Sequence, residues 1–174
     1  MLDPTCPERL IVMDVTTLEA TVADLVEAQV ARTPEAIAVV AGGASLSYAE
    51  LDAAANRLAR HLQDRRVGTG VAVGVCAPRG LDLAVGLLGV LKAGGAVLAL
   101  DATHPPERLR FMLADSGAPV VVGAAALMQD LGTGDVDVVR LDADAAAWAA
   151  LEPTPPPRAV GPDHLAYVVY TSGS

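Results

Sequence analysis

The chain has 174 residues, with twelve Lys and Arg against twenty-one Asp and Glu, a net charge of −9, and 52% hydrophobic but only 3% aromatic residues. That length suits one compact unit, the apolar fraction excludes a disordered chain, and the lack of any basic run interleaved with aromatics excludes nucleic acid as a partner. A core so poor in aromatics must be built from Val, Leu and Ala, a palette that suits strands buried on both faces.

Residues 1–20 show no strong period and read as an extended lead-in, with one short strand candidate at residues 10–15. Asp3 and Glu8 stand among prolines ahead of any apolar stretch, the wrong order for a secretory signal. From there Val22, Leu25, Val26, Gln29 and Val30 share one helical face. Thr21 and Asp24 have the spacing of a capping box, and Thr33-Pro34 stops the helix. Residues 37–41 read as a strand, Gly42-Gly43 as a tight hairpin turn and residues 44–46 as the short return. Ser47 and Glu50 form a second capping box. It opens a helix whose apolar stripe is Tyr48, Leu51, Ala55, Leu58 and Leu62, with Asp52, Arg57, Arg60 and Asp64 mostly off that stripe.

Residues 71–77 form a near-continuous apolar strand, followed by the turn Pro78-Arg79-Gly80, a helix over 81–93 capped by Gly94, and a strand over 96–100. The stretch 81–100 is almost apolar enough to cross a membrane. Lys92 near its middle would cost roughly 2.5–3.5 kcal/mol in a bilayer, so the stretch reads as a buried helix, a turn and a buried strand, with no membrane partner. A proline-started helix then runs to about residue 116, closed by Gly117. Strand 119–122, helix 124–131, strand 136–141 and an alanine-rich helix 143–151 continue the alternation. Residues 152–162, with Pro155-Pro156-Pro157, read as a linker to a last strand over 165–170. The fold class is α/β, a mostly parallel sheet covered on both faces.

The last strand runs into Thr171-Ser172-Gly173-Ser174. Gly173 allows close backbone approach, and the hydroxyls of Thr171, Ser172 and Ser174 with successive N–H groups can donate to an anion at the carboxyl end of a strand. Taken alone these four residues read more readily as a turn, and no Lys or Arg follows them. Asp135 with Asp137 and Asp142 with Asp144 read as solvent-facing strand positions and a helix cap ahead of acid–base catalysis. Ser116 and Ser172 have no identifiable His and acid partners, so a hydrolase triad has no support, and Arg79-Gly80 reads as a turn ahead of an anion contact. His61, His104 and His164 are isolated and no CxxC pair occurs, so no metal site is expected. Cys6 and Cys76, in unlike settings, fit a reduced cytoplasmic protein better than a disulfide scaffold.

Leu46-Ser47-Tyr48-Ala49-Glu50-Leu51 resembles, in full, the first core motif of the adenylation domains of nonribosomal peptide synthetases. Leu91-Lys92-Ala93-Gly94-Gly95-Ala96, continuing through Leu100-Asp101, Pro105, Arg108, Met112-Leu113 and Asp115-Ser116, resembles the second motif and its sequel. Leu165-Ala166-Tyr167-Val168-Val169-Tyr170-Thr171-Ser172-Gly173-Ser174 is similar to the first half of the third, the phosphate loop. Ala31-Arg32-Thr33-Pro34 resembles the end of the family's opening helix, and order and spacing agree throughout. Residues 97–105 depart from the family's pattern, lacking two of its prolines and two of its tyrosines.

The resemblance implies that residues 21–174 are the N-terminal part of such a domain, ending inside its phosphate loop. It also implies an AMP-forming ligase that activates an amino acid with ATP and Mg²⁺ and passes the acyl group to the phosphopantetheine thiol of a carrier protein, beside condensation domains. Thr171, Ser172, Gly173 and Ser174 match the part of the loop that would hold the β- and γ-phosphates. The family's loop lysine, amino-acid pocket, nucleoside contacts and catalytic lysine lie further on, so this piece alone is expected to be inactive. An acyl-CoA or aryl-acid ligase, and a non-catalytic interaction module, stand as alternatives.

Overall fold

The computed structural model describes residues 19–131 and 134–170. The strand candidate at residues 10–15 lies outside them.

Short-range chemistry sets the first elements. Thr21 caps α1 (Val22–Arg32): its hydroxyl accepts from Asp24 N–H at 3.2 Å, and the Asp24 carboxylate accepts from Thr21 N–H at 2.8 Å. Strands β1 (Ile37–Ala41) and β2 (Ala44–Ser47) pair antiparallel. The turn between them needs positive φ at both central positions, met by Gly42 and Gly43 at +58° and +83°. Ser47 and Glu50 repeat the capping box at the start of α2 (Tyr48–Gln63), where Glu50 Oε2 accepts from Ser47 N–H at 2.8 Å.

The main sheet follows: β3 (Ala72–Cys76), α3 (Leu81–Ala93), β4 (Ala96–Ala99), α4 (Pro106–Ser116), β5 (Val120–Gly123), α5 (Ala125–Leu131), β6 (Asp137–Arg140) and β7 (Tyr167–Val168). Strand order is β6-β5-β3-β4-β7, and every neighbouring pair is parallel. Alternating strand residues feed two cores. Val73, Val75, Val97 and Val122 face Leu58 and Leu62 of α2 and Val90 of α3. Leu98 and Val121 face Leu109, Met112 and Leu113 of α4 and Met128 and Leu131 of α5. The sheet is therefore covered on both faces, as the apolar strands require.

Three expectations change. The alanine-rich stretch 143–151 is not a helix; only a 3-10 turn at Ala145–Ala147 forms. Its capping acids are engaged elsewhere: Asp142 accepts from Ala125 N–H at the start of α5 at 2.9 Å, and Asp144 turns back onto Arg140 N–H at 2.9 Å. Trp148 is drawn into the core at 6% exposure, its ring 4.8 Å from that of His61. Burying the one tryptophan outweighs alanine's helix propensity.

Residues 152–162 are a strap, not a loose linker. Prolines remove N–H donors but leave carbonyl acceptors, and the polar face of α2 supplies the donors. Asn56 donates to Pro153 O at 2.6 Å, Arg57 to Leu151 O at 3.2 Å, Arg60 to Glu152 O at 3.2 Å and Gln63 to Pro157 O at 2.8 Å. The strap carries the chain from β6, at one edge of the sheet, to β7 at the other. Finally, the last strand is short: only Tyr167 and Val168 pair, with Val97 and Leu98 of β4.

Candidate functional site

All five strands of the main sheet run the same way, so the carboxyl ends of β3, β4, β5 and β7 share one edge. The connection after β3 leads to α3 on one face, and that after β4 to α4 on the other. Adjacent strands whose connections part in this way leave a crevice at their carboxyl ends, where open α/β sheets bind ligands.

Named residues furnish that edge. Asp101, just past β4, accepts from Thr103 N–H at 2.9 Å. Hydrogen bonds from Thr103, and then the charges of His104 and Arg79, hold its carboxyl below the usual carboxylate range. Cys76 ends β3 at 1% exposure, and burial, followed by the charge of Asp101, pushes its thiol up. A buried, protonated thiol is a packing residue and a poor nucleophile. A narrow groove of about 120 Å³ beside it is lined by Cys76, Ala102, His104, Leu109 and Leu127. At the same edge β3 and β5 approach so closely that a side chain on Gly123 would meet Cys76 O at 2.0 Å.

Past β7 the backbone reaches Tyr170, the residue before the tetrapeptide singled out in the sequence. Its hydroxyl donates to Asp115 Oδ2 on α4 at 2.6 Å, and its ring meets Phe111 edge-on, with centroids 6.3 Å apart at 77°. The hydrogen bond to Asp115 raises the Tyr170 phenol above its ordinary value. Thr171, Ser172, Gly173 and Ser174 themselves lie outside the described residues.

Away from the edge, Lys92 stands in the sequence as an obstacle to membrane insertion and as part of the second motif, with no partner assigned. The structure gives it two. Its ammonium has no exposed surface, lies 2.9 Å from Asp52 Oδ1 and pairs with Glu27. Arg158 of the strap binds the same Glu27 at 2.8 Å and also pairs with Asp24. Burial pushes the Glu27 carboxyl up, but hydrogen bonds from Arg158 and Lys92 outweigh it and hold the group below its usual range. Asn56 joins by donating to Asp52 Oδ2 at 2.8 Å. The network ties α1, α2, α3 and the strap together. The signal available beforehand was the lysine itself: a cation inside an otherwise apolar helix needs buried counter-charges.

Three of the four paired acids have structural partners, and the fourth, Asp135, is exposed. Asp137 meets Arg65 at 2.8 Å, Asp144 meets Arg140 at 2.8 Å, and Asp142 caps α5.

Residues 26–174 match the family described as AMP-binding enzyme. A linear gramicidin synthase of Brevibacillus parabrevis is 46% identical over 91% of this chain and 2% of its own length. Bacitracin synthase 3 of Bacillus licheniformis is 44% identical over 88% of the chain and 2% of its own length. Chondramide synthase cmdD of Chondromyces crocatus is 46% identical over 85% and 4%. The chain thus spans only a few hundredths of the length of these relatives. Among solved structures, the nonribosomal peptide synthetase FmoA3 bound to α-methyl-L-serine-AMP superposes with a TM-score of 0.83 at 35% identity, over 88% of this chain and 17% of that one. The N-terminal subdomain of Klebsiella oxytoca NpsA superposes with a TM-score of 0.79 over 90% and 39%, at 20% identity, a likeness of fold. The chain belongs to the AMP-binding enzyme family, in the branch formed by the adenylation domains of nonribosomal peptide synthetases.

Proposed function

We propose that residues 21–174 form the first part of the large N-terminal subdomain of an amino-acid adenylation domain, with residues 1–20 as its lead-in. Thr171, Ser172, Gly173 and Ser174 then begin the loop that holds the β- and γ-phosphates of ATP. The observation that carries this reading is the position of Tyr170: the chain enters the tetrapeptide from the carboxyl end of a parallel strand beside β4, on the ligand-binding side of such sheets. The family match that runs through residue 174 supports it.

In the complete domain, the carboxylate of an amino acid attacks the α-phosphorus of ATP and pyrophosphate leaves, giving an aminoacyl-adenylate; the phosphopantetheine thiol of a carrier protein then takes the acyl group as a thioester and AMP leaves. Backbone N–H groups and hydroxyls of the loop would orient the leaving phosphates and stabilise their charge. Mg²⁺ accompanies the nucleotide in this reading, offsetting the charge of its phosphates. Condensation and carrier domains of the same assembly line are the partners this reading assigns. A cytoplasmic setting, where ATP and reduced thiols coexist, fits the free, buried Cys76. Among the described residues no helix is long and apolar enough to cross a membrane.

Amino-acid-dependent exchange of labelled pyrophosphate into ATP, measured on the whole polypeptide in which this chain occurs, tests the reading. Exchange driven by one amino acid supports it, and exchange driven only by an aryl or fatty acid overturns it in favour of the other ligase branch. The 174 residues alone are expected to show no exchange.

A further inference from the structure

Helix α1 is held differently from its neighbours. Of its eleven residues only Ala23 is buried, whereas α2 buries eight residues and α3 six. Val22 and Leu25 are 52% and 38% exposed. Charges supply what apolar burial does not. Glu27 pairs with Lys92 of α3 and, through a two-pronged contact at 2.8 and 3.2 Å, with Arg158, which also pairs with Asp24. Arg158 is fixed from both sides, because Pro157 O accepts from Gln63 at 2.8 Å and Ala159 O accepts from the Thr69 hydroxyl at 3.0 Å. The chain just after α1 is fixed too: Pro34 O and Ala36 O accept from Ala49 N–H and Tyr48 N–H, each at 2.9 Å. α1 thus lies between a rigid cationic pin and a hydrogen-bonded anchor.

We propose that α1 is a latched helix, closed by Arg158 and Lys92, which opens as a unit while α2, α3 and the sheet stay folded. Opening strands no buried charge. Lys92 keeps Asp52 at 2.9 Å, Asp52 keeps Asn56 at 2.8 Å, and Asp24, Glu27 and Arg158 pass into water, where a charge needs no partner. The apolar loss is modest, chiefly Ala23 and the partly buried Val26 at the edge of the cluster of Leu51, Ala55 and Leu88. A helix of eleven residues is marginal by itself in water, so α1 melts once it leaves its seat. Local openings of this kind are drawn from the elements with least apolar burial. Val22 and Val26 also form one wall of an apolar groove of about 380 Å³, whose other walls include Leu87, Leu88 and Leu91 of α3 and Tyr167 of β7. The latch therefore sets the width of that groove, and it is independent of the adenylation reading.

Native-state hydrogen exchange on the whole polypeptide in which this chain occurs, read by mass spectrometry on peptides from α1, α2 and α3, tests the latch. In the wild type, α1 amides are expected to exchange at least about tenfold faster than those in the buried stretches of α2 and α3. Low urea should leave that α1 rate unchanged, the mark of an opening that exposes little surface. Arg158→Gln removes the charge of the pin and is expected to speed α1 by about a further tenfold, the scale of charge-assisted hydrogen bonds, with α2 and α3 within about twofold. Arg158→Lys, which keeps the charge but not the two-pronged contact, should fall between. Exchange of α1 in step with α2 and α3 in the wild type overturns the proposal without any variant. So do an unchanged α1 in Arg158→Gln, an equal rise in all three helices, and a variant that no longer folds, since each shows that Arg158 holds either nothing or the whole fold.

Discussion

The ammonium of Lys92 on α3 lies 2.9 Å from the Asp52 carboxylate on α2, with no surface of its own open to solvent. A buried cation and the acids that face it are tolerable only together, because each charge removed from water needs its partner. Lys92→Met, similar in volume, leaves Asp52 with Asn56 alone and Glu27 with Arg158 alone. It is expected to destabilise the fold by about 3–5 kcal/mol, read from urea denaturation. Adding Asp52→Asn to Lys92→Met should recover part of that loss, since it neutralises the stranded carboxylate. A double variant less stable than Lys92→Met by the full cost of a second lesion would show that the charges are not coupled.

The Lys92 network also marks where the legibility of the sequence ends. Capping boxes at Thr21–Asp24 and Ser47–Glu50, the Gly42-Gly43 hairpin and the Gly94 and Gly117 helix ends were all legible, because each is decided within a few residues of chain. Glu27, Asp52 and Arg158 are brought to Lys92 only by the packing of three helices and a strap, and no local spacing announces that. The stretch 143–151 departs from expectation for the same reason: its alanines say helix locally, while Trp148 answers to His61 across the fold. The candidate site at Thr171–Ser174 is an expectation from a motif, and those residues lie outside the described ones. The hold of Asp115 on Tyr170 was not legible, since it joins residues 55 apart in sequence.

His61 gives a pH dependence whose sign is fixed. Burial, and then the neighbouring charge of Arg65, lowers its pKa below the ordinary 6.5, against the weaker opposing charges of Asp64, Asp137 and Asp144. Arg65 approaches the ring at 3.2 Å and Trp148 packs on it. The unfolded chain therefore binds a proton more readily than the folded one, so the stabilisation is complete above about pH 6.5 and is lost as pH falls below it. Thermal midpoints measured from about pH 8 to about pH 5 should fall through this window in the wild type and fall less in His61→Gln. The carboxyls of Asp24 and Glu27, both lowered, add their loss at more acid pH, below their ordinary values of 3.8 and 4.5. Equal slopes in both proteins between about pH 6.5 and about pH 5 would falsify the assignment to His61.

Gly123 and Gly117 separate two reasons for glycine. A methyl group on Gly123 meets Cys76 O at 2.0 Å, a collision with backbone that only a shift of β3 against β5 relieves. Gly117 meets nothing, but its φ of +63° is unfavourable for alanine. Gly123→Ala is expected to cost about 3 kcal/mol or more, and Gly117→Ala about 1 kcal/mol, in denaturant titrations of the two proteins. The reverse ranking would mean that β3 and β5 are held less tightly at their carboxyl ends than the geometry requires.

The strap has a consequence for the order in which the molecule assembles. β3 with β4 and β5 with β6 are each joined through one helix, and β3 with β5 through α3, β4 and α4, so these contacts close shorter loops. β7 instead pairs with β4 across the whole stretch from Val97 to Tyr167, and its approach is guided by the α2 side chains that hold the strap's carbonyls and by the Arg158 pairing to Asp24, 134 residues away. Closing loops of that length is the slow part of folding. Four strands and their helices can thus stand as a nucleus before the fifth arrives, and Tyr170, at the far end of the described chain, is among the last residues to find its place. In a polypeptide emerging from the ribosome, the scaffold would be waiting for the site.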